Sequence, residues 1–221
     1  MTKLNFILAA IVVASSTPTF AQKAGSWSAS IGVTKIAPDV TSGNLSAPSL
    51  PSTKVDVGDN TQLTGAVNYS VTDDIVISVP LGFGFKHKVV GASAIAGVGT
   101  LATTKALPIT VLGQYRFGAA NATARPYVGA GLSYVKFYDT NSTAVLTALT
   151  NPGGPATTMR FESKFAPTIQ LGLTYNINDK WYLDGNYTKT FLKTRGTLST
   201  GQTLDAKLNP DGYTFQIGYK F

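Results

Sequence analysis

The chain contains no cysteine and one histidine in 221 residues. Disulfides and thiolate metal sites are therefore excluded, and a transition-metal site has almost no ligands to draw on. Charged residues make up 13%, against about 25% in ordinary soluble domains. Long apolar runs are missing too. The run from Leu4 to Val13 is shorter than the roughly 20 residues a spanning helix needs. If the mature chain enters a membrane, it must do so as a closed barrel.

That short run has Lys3 before it and Thr19-Phe20-Ala21 after it. This is the layout of a secretory signal peptide, with cleavage expected before Gln22. Residues 1–21 are read as signal and 22–221 as one domain. What the chain does have is Gly 22, Tyr 10 and Phe 11 at a mean hydropathy of only +0.10, as expected when greasy and wet faces alternate along strands.

The alternation is clearest at the end, where Tyr213, Phe215, Ile217, Tyr219 and Phe221 take every second position. Seven earlier segments share the pattern. They centre on Trp27 to Val33, Leu63 to Val71, Ile75 to Phe85, Leu107 to Phe117, Arg125 to Tyr138, Phe165 to Ile177 and Trp181 to Phe191. Thr72-Asp73-Asp74, Gly118 to Ala124 and Asn178-Asp179-Lys180 make short connections. Residues 37–59, 88–104, 139–163 and 194–206 read as long loops rich in Pro, Gly, Ser and Thr. Short turns on one side and long loops on the other predict an all-β, eight-stranded antiparallel transmembrane β-barrel, a closed up-and-down meander of the Gram-negative outer membrane. Tyr115, Phe117, Tyr175, Trp181, Tyr219 and Phe221 are expected in a girdle at the turn side, with Phe83, Phe85 and Phe191 at the other rim.

Leu101-Ala102-Thr103-Thr104-Lys105-Ala106-Leu107-Pro108, Gln114-Tyr115-Arg116-Phe117-Gly118, Arg125-Pro126-Tyr127-Val128-Gly129-Ala130-Gly131 and the closing Gly218-Tyr219-Lys220-Phe221 resemble the outer membrane protein W (OmpW) family. The resemblance implies an eight-stranded barrel with a narrow, partly hydrophobic interior that passes or binds small hydrophobic molecules. The terminal aromatic pattern resembles the signal read by the outer-membrane assembly machinery.

The inward register predicts an interior of two zones. Arg116, Asp184 and Lys220, with Gln114, Gln170 and Asn186 above them, are expected to form a polar plug at the periplasmic side, with Asp184 ion-paired to Arg116 or Lys220. Val76, Gly82, Gly84 and Leu112 are expected to line an apolar lumen; Val135 and Phe137 are ambiguous. Pro80 and Pro108 lie in neighbouring strands without N–H groups for the ladder, and mark a lateral seam. His87, with Lys86 and Lys88 beside it and no carboxylate nearby, reads as a rim histidine, and an enzyme is not expected. No cofactor is called for. The net charge of +7 is assigned to lipopolysaccharide phosphates facing the outer loops, not to nucleic acid. The alternative to a channel is a plugged structural or interaction barrel, contacting envelope components, host surfaces or phage.

Overall fold

The structure, a computed structural model, describes residues 24–221. The expected signal peptide lies outside the described residues. The chain begins with β1 (Trp27–Ala37), the short β2 (Thr41–Ser42), β3 (Thr53–Val57) and β4 (Asn60–Ser70). A tight turn leads into β5 (Ile75–Gly82), and β6 (Phe85–Ser93) follows after a two-residue break. Next come the long β7 (Thr100–Arg116) and β8 (Ala124–Ser142), helix α1 (Ala144–Thr150), β9 (Met159–Phe161), β10 (Lys164–Asn176) and β11 (Trp181–Thr190). The hairpin of β12 (Lys193–Leu198) and β13 (Thr203–Lys207) precedes the final β14 (Asp211–Lys220).

Eight antiparallel segments close into a barrel. β1 pairs with β4 and β14, β11 joins β14 to β10, and β10 joins β8, which pairs with β7. β4 pairs with β5, and β5 reaches β7 to complete the circle. The polarity of the wall is the reverse of a soluble barrel. Ile31, Val33, Leu63, Ile109, Val111, Leu171 and Phe215 face outward and exposed, while Asn68, Gln114, Thr168, Gln170 and Gln216 are buried inside. Such a wall suits hydrocarbon outside. Most exposed aromatics sort to two heights, with Phe215 between them. Trp27, Tyr115, Phe117, Tyr175, Trp181 and Phe221 lie at the turn side, and Phe83, Phe165, Phe191 and Tyr213 at the other. The turns use side-chain acceptors. Thr72 Oγ1 takes the Ile75 N–H at 2.9 Å, and Asn178 Oδ1 takes the Trp181 N–H at 2.8 Å.

Two expectations are corrected here. The long loops are largely ordered: β2, β13, β12 and β9 form a separate four-stranded sheet, while β3 pairs with β6. Between these layers Val55, Val89, Leu101, Leu146, Met159, Leu198 and Leu204 pack as one apolar core. The Ser, Thr and Gly content of these segments hides an alternation that is only a few residues long. The second correction concerns Phe85, expected at the outer rim, which is buried in the interior. The break at Phe83-Gly84 flips the alternation, so odd positions point outward in β5 and inward in β6.

At the turn side Arg125 is fully buried. Its guanidinium donates to Asp74 Oδ1 at 2.8 Å and to the Asp73 carbonyl at 2.9 Å, and also reaches the Gly118 carbonyl. One side chain thus ties two periplasmic turns together. Replacing Arg125 with Met is expected to lower unfolding stability by about 3 kcal/mol, because the buried charge holds several acceptors in place. Lys35→Met, which breaks an exposed pair with Asp59, is expected to leave stability unchanged. Urea titration followed by heat-modifiable gel mobility measures both.

Candidate functional site

The barrel encloses a cavity of about 170 Å³, and the inward register stacks its lining in layers. On β7 the inward residues run upward as Arg116, Gln114, Leu112, Thr110, Pro108 and Ala106; on β11 as Tyr182, Asp184, Asn186, Thr188 and Thr190, leading to Leu192.

The floor is polar and filled. Asp184 accepts hydrogen bonds from the Tyr127 hydroxyl (3.0 Å), the Thr174 hydroxyl (3.0 Å) and the Asn186 amide (2.8 Å). The Arg116 guanidinium lies 5.5 Å from the Tyr127 ring centre and donates to Gln114, whose own amide donates to Gln170 at 2.8 Å. Arg116, Asp184, Gln114, Gln170 and Asn186 are therefore brought together in one cluster. Lys220 is not: its ammonium donates to Asn176 at 2.8 Å, and among the described residues no ion pair joins it to Asp184. It sits at the strand terminus, one pleat below the cluster.

The sequence reading missed the two tyrosines that complete the floor. Tyr127 lies across Gly172 of the next strand, and Tyr182 across Gly218, where any Cβ would collide with the ring. Tyr182 also donates to Ser28, beside Asn68. The signal was available, since each tyrosine is directly paired in register with a glycine, but it shows only once the strands are aligned.

Above the floor comes a layer of hydroxyls that was not expected. Thr110, Ser133, Thr168 and Thr190 form a chain with spacings of 2.7, 2.7 and 3.0 Å. On the facing wall Thr34 bonds to Thr64 at 2.7 Å and Thr214 at 3.0 Å. The apolar zone lies higher, where Phe85, Val89, Ala106, Val135, Phe137, Leu192 and Leu208 line the cavity. Val135 and Phe137 thus face inward. Of the residues expected to line the lumen, Leu112 and Gly82 do so. Val76 is inward but sealed near the floor, level with Gln114 of β7. Gly84 lies outside the lining, against the Tyr138 ring, because the alternation breaks there. His87, expected at the rim, is buried and faces inward. Its Nδ1 is 2.7 Å from the Gly58 carbonyl, and burial holds the imidazole below its ordinary range.

One part of the wall is unzipped. The β5–β7 ladder runs only from Ile75↔Tyr115 to Ser78↔Leu112, and the β6–β7 ladder begins at Phe85↔Ala106. Between them, residues 107–111 of β7 pair with β8 alone. Pro80 and Pro108 stand on the two sides of this gap. The cavity lining there includes Leu81 and Phe83, which are also 50% and 84% exposed. Tyr213, Phe215, Ile217 and Phe221 are exposed to the outside with Tyr219 half-buried beside them, which puts the C-terminal pattern on the membrane face.

Removing the floor rings is expected to open the barrel to ions. A Tyr127→Ala/Tyr182→Ala variant in planar bilayers is expected to show several-fold higher single-channel conductance than the parent chain, with heat-modifiable mobility retained.

Comparison with known proteins agrees with this geometry. Outer membrane protein W of Vibrio cholerae is 31% identical over 220 residues, covering 97% of each chain. The dibenzothiophene metabolism operon protein PahQ of Pseudomonas aeruginosa is 26% identical over 93% of each chain. The crystal structure of OprG from Pseudomonas aeruginosa superimposes with a TM-score of 0.80 at 25% identity, covering 91% of this chain and 98% of that one. Residues 23–221 match the OmpW family throughout, and the chain is a member of that family of outer-membrane β-barrels.

Proposed function

We propose that the chain carries small hydrophobic molecules from the cell exterior into its lumen and releases them sideways into the outer membrane through the β5–β7 gap. The observation that carries this reading is the interrupted ladder between β5 and β7, beside which Leu81 and Phe83 border the cavity. The filled floor of Arg116, Tyr127, Tyr182 and Asp184 argues against an axial exit to the periplasm. Release into the bilayer also suits the cargo, because an apolar molecule that leaves the pocket for hydrocarbon stays out of water, whereas exit to the periplasm would expose its apolar surface. The relative named for dibenzothiophene metabolism supports the class, since that compound is an apolar aromatic. Prolines at the gap make it tolerable in lipid, as each removes an N–H that would otherwise lack a partner. We also propose that lipopolysaccharide phosphates meet the outer lysines. Lys86 faces Lys105 across the β6–β7 ladder; Lys105 is paired with Asp139 at 2.7 Å, and the Lys86 charge beside it is the one offered to an anion.

Closing the gap tests the route. In a Leu81→Cys/Ile109→Cys variant, a short bis-methanethiosulfonate reagent, which forms a disulfide with each thiol and releases sulfinate, spans β5 and β7 without competing thiols, because the chain has no cysteine. Uptake of a fluorescent polycyclic hydrocarbon by cells is expected to fall several-fold on crosslinking and to recover on reduction. Unchanged uptake after verified crosslinking would discard the lateral route. No uptake by the parent chain would favour the plugged structural barrel.

A further inference from the structure

The hydroxyl layer carries a ligand preference that an apolar chamber alone does not. A hydroxyl brings one proton and two lone pairs. In the chain Thr110, Ser133, Thr168, Thr190, three mutual bonds leave one proton against five lone-pair positions. On the facing wall Thr34, Thr64 and Thr214 share two bonds, and the Gln216 amide donates to Thr64. That leaves one proton against three lone-pair positions. Both walls of this layer are therefore rich in acceptors and poor in donors, and all seven residues line the cavity. An alkane seated here would displace water from these acceptors and offer nothing in return. A molecule with one O–H donor offers what they lack.

We infer that the preferred ligand is an amphiphile with a hydroxyl head and a short aliphatic tail, bound head-down. The hydroxyl donates into the Thr110–Ser133–Thr168–Thr190 chain, and the tail lies among Phe85, Val135, Phe137, Leu192 and Leu208. A carboxylate head is disfavoured, because the layer presents lone pairs to it. Arg116, the cation below, is separated from the layer by the Gln114–Gln170 bond and shares the floor with Asp184. An ammonium head would meet the same acceptors, but must shed the hydration of a full charge to reach them, with the one nearby carboxylate, Asp184, already taken up by Tyr127, Thr174 and Asn186.

This inference rests on the reading that ligands occupy the lumen, and the experiment separates the two. The chain is placed in phosphatidylcholine nanodiscs with labelled threonine methyl groups and titrated with 1-octanol, octane, octanoate and octylammonium at matched membrane concentrations. 1-Octanol is expected to bind roughly tenfold more tightly than octane, the scale of one or two neutral hydrogen bonds. It should shift the Thr110, Thr168 and Thr190 signals. In a Ser133→Ala/Thr168→Val variant the ratio is expected to fall to about one, while octane still binds. Thr190→Val alone is expected to reduce it in part, which keeps the test open if the double variant fails to fold. Equal binding of octane and octanol by the parent chain overturns the head-down preference and leaves the lumen reading intact. Tighter binding of either ion also overturns the preference. If none of the four probes shifts a lumen signal, the lumen reading itself falls.

Discussion

Every backbone N–H and C=O that enters hydrocarbon must find its partner within the protein, at a cost of several kcal/mol for each that does not. Closure of eight amphipathic strands satisfies that constraint, and most of the structure follows from it. Because the strands alternate with period two, closure puts one residue in two against lipid and the other into a lumen only a few side chains wide. The outside is then Ile, Leu, Val and aromatic, and the inside is whatever residues can satisfy one another at close quarters.

The gap between β5 and β7 is where the constraint is relaxed, and it is built from a small set of residues. Pro80 and Pro108 take two donors out of the backbone. Phe83-Gly84 interrupts the strand and reverses its faces, so that Phe85, His87 and Val89 turn inward while the Tyr138 ring closes over Gly84 outside. The same reversal supplies much of the upper apolar zone. A local defect in the ladder and the composition of the chamber are thus one feature, set by two prolines and a glycine.

The architecture was legible because it depends on periodicity, and periodicity survives without an alignment. Eight strands, the three short turns and the outward aromatics of Trp181 or Phe215 could all be read directly. So could the cluster of Arg116, Gln114, Gln170 and Asp184, since these keep the inward register of long regular strands. What was lost depends on interruptions or on partners distant in sequence. Phe85 was placed on the wrong face, and His87 at the rim and not in the interior, because one break shifts every later position. Tyr127 and Tyr182 were missed because their role is defined by Gly172 and Gly218 on other strands. The hydroxyl layer went unread because isolated Thr and Ser residues on seven strands look like ordinary polar filling until their oxygens meet. The outer sheet was taken for loops because its strands are short and most of its partners are distant in sequence, both in the ladders and in the core that Leu146, Met159, Leu198 and Leu204 build together.

That outer core joins segments following four different barrel strands. β2, β9 and the β12–β13 hairpin form a single sheet, and α1 packs beneath it with Leu146. The extracellular segments are therefore one folded unit with a shared interior, in which a side chain lost from one leaves a void bordered by the others. Exchanging one such segment for that of a relative replaces a quarter of a core and leaves the rest fitted to something no longer there. Variation on this surface is accordingly divided: tips such as Gly153-Gly154, exposed and turned away from the core, are free to change one at a time, whereas the segments beneath them must change as a set.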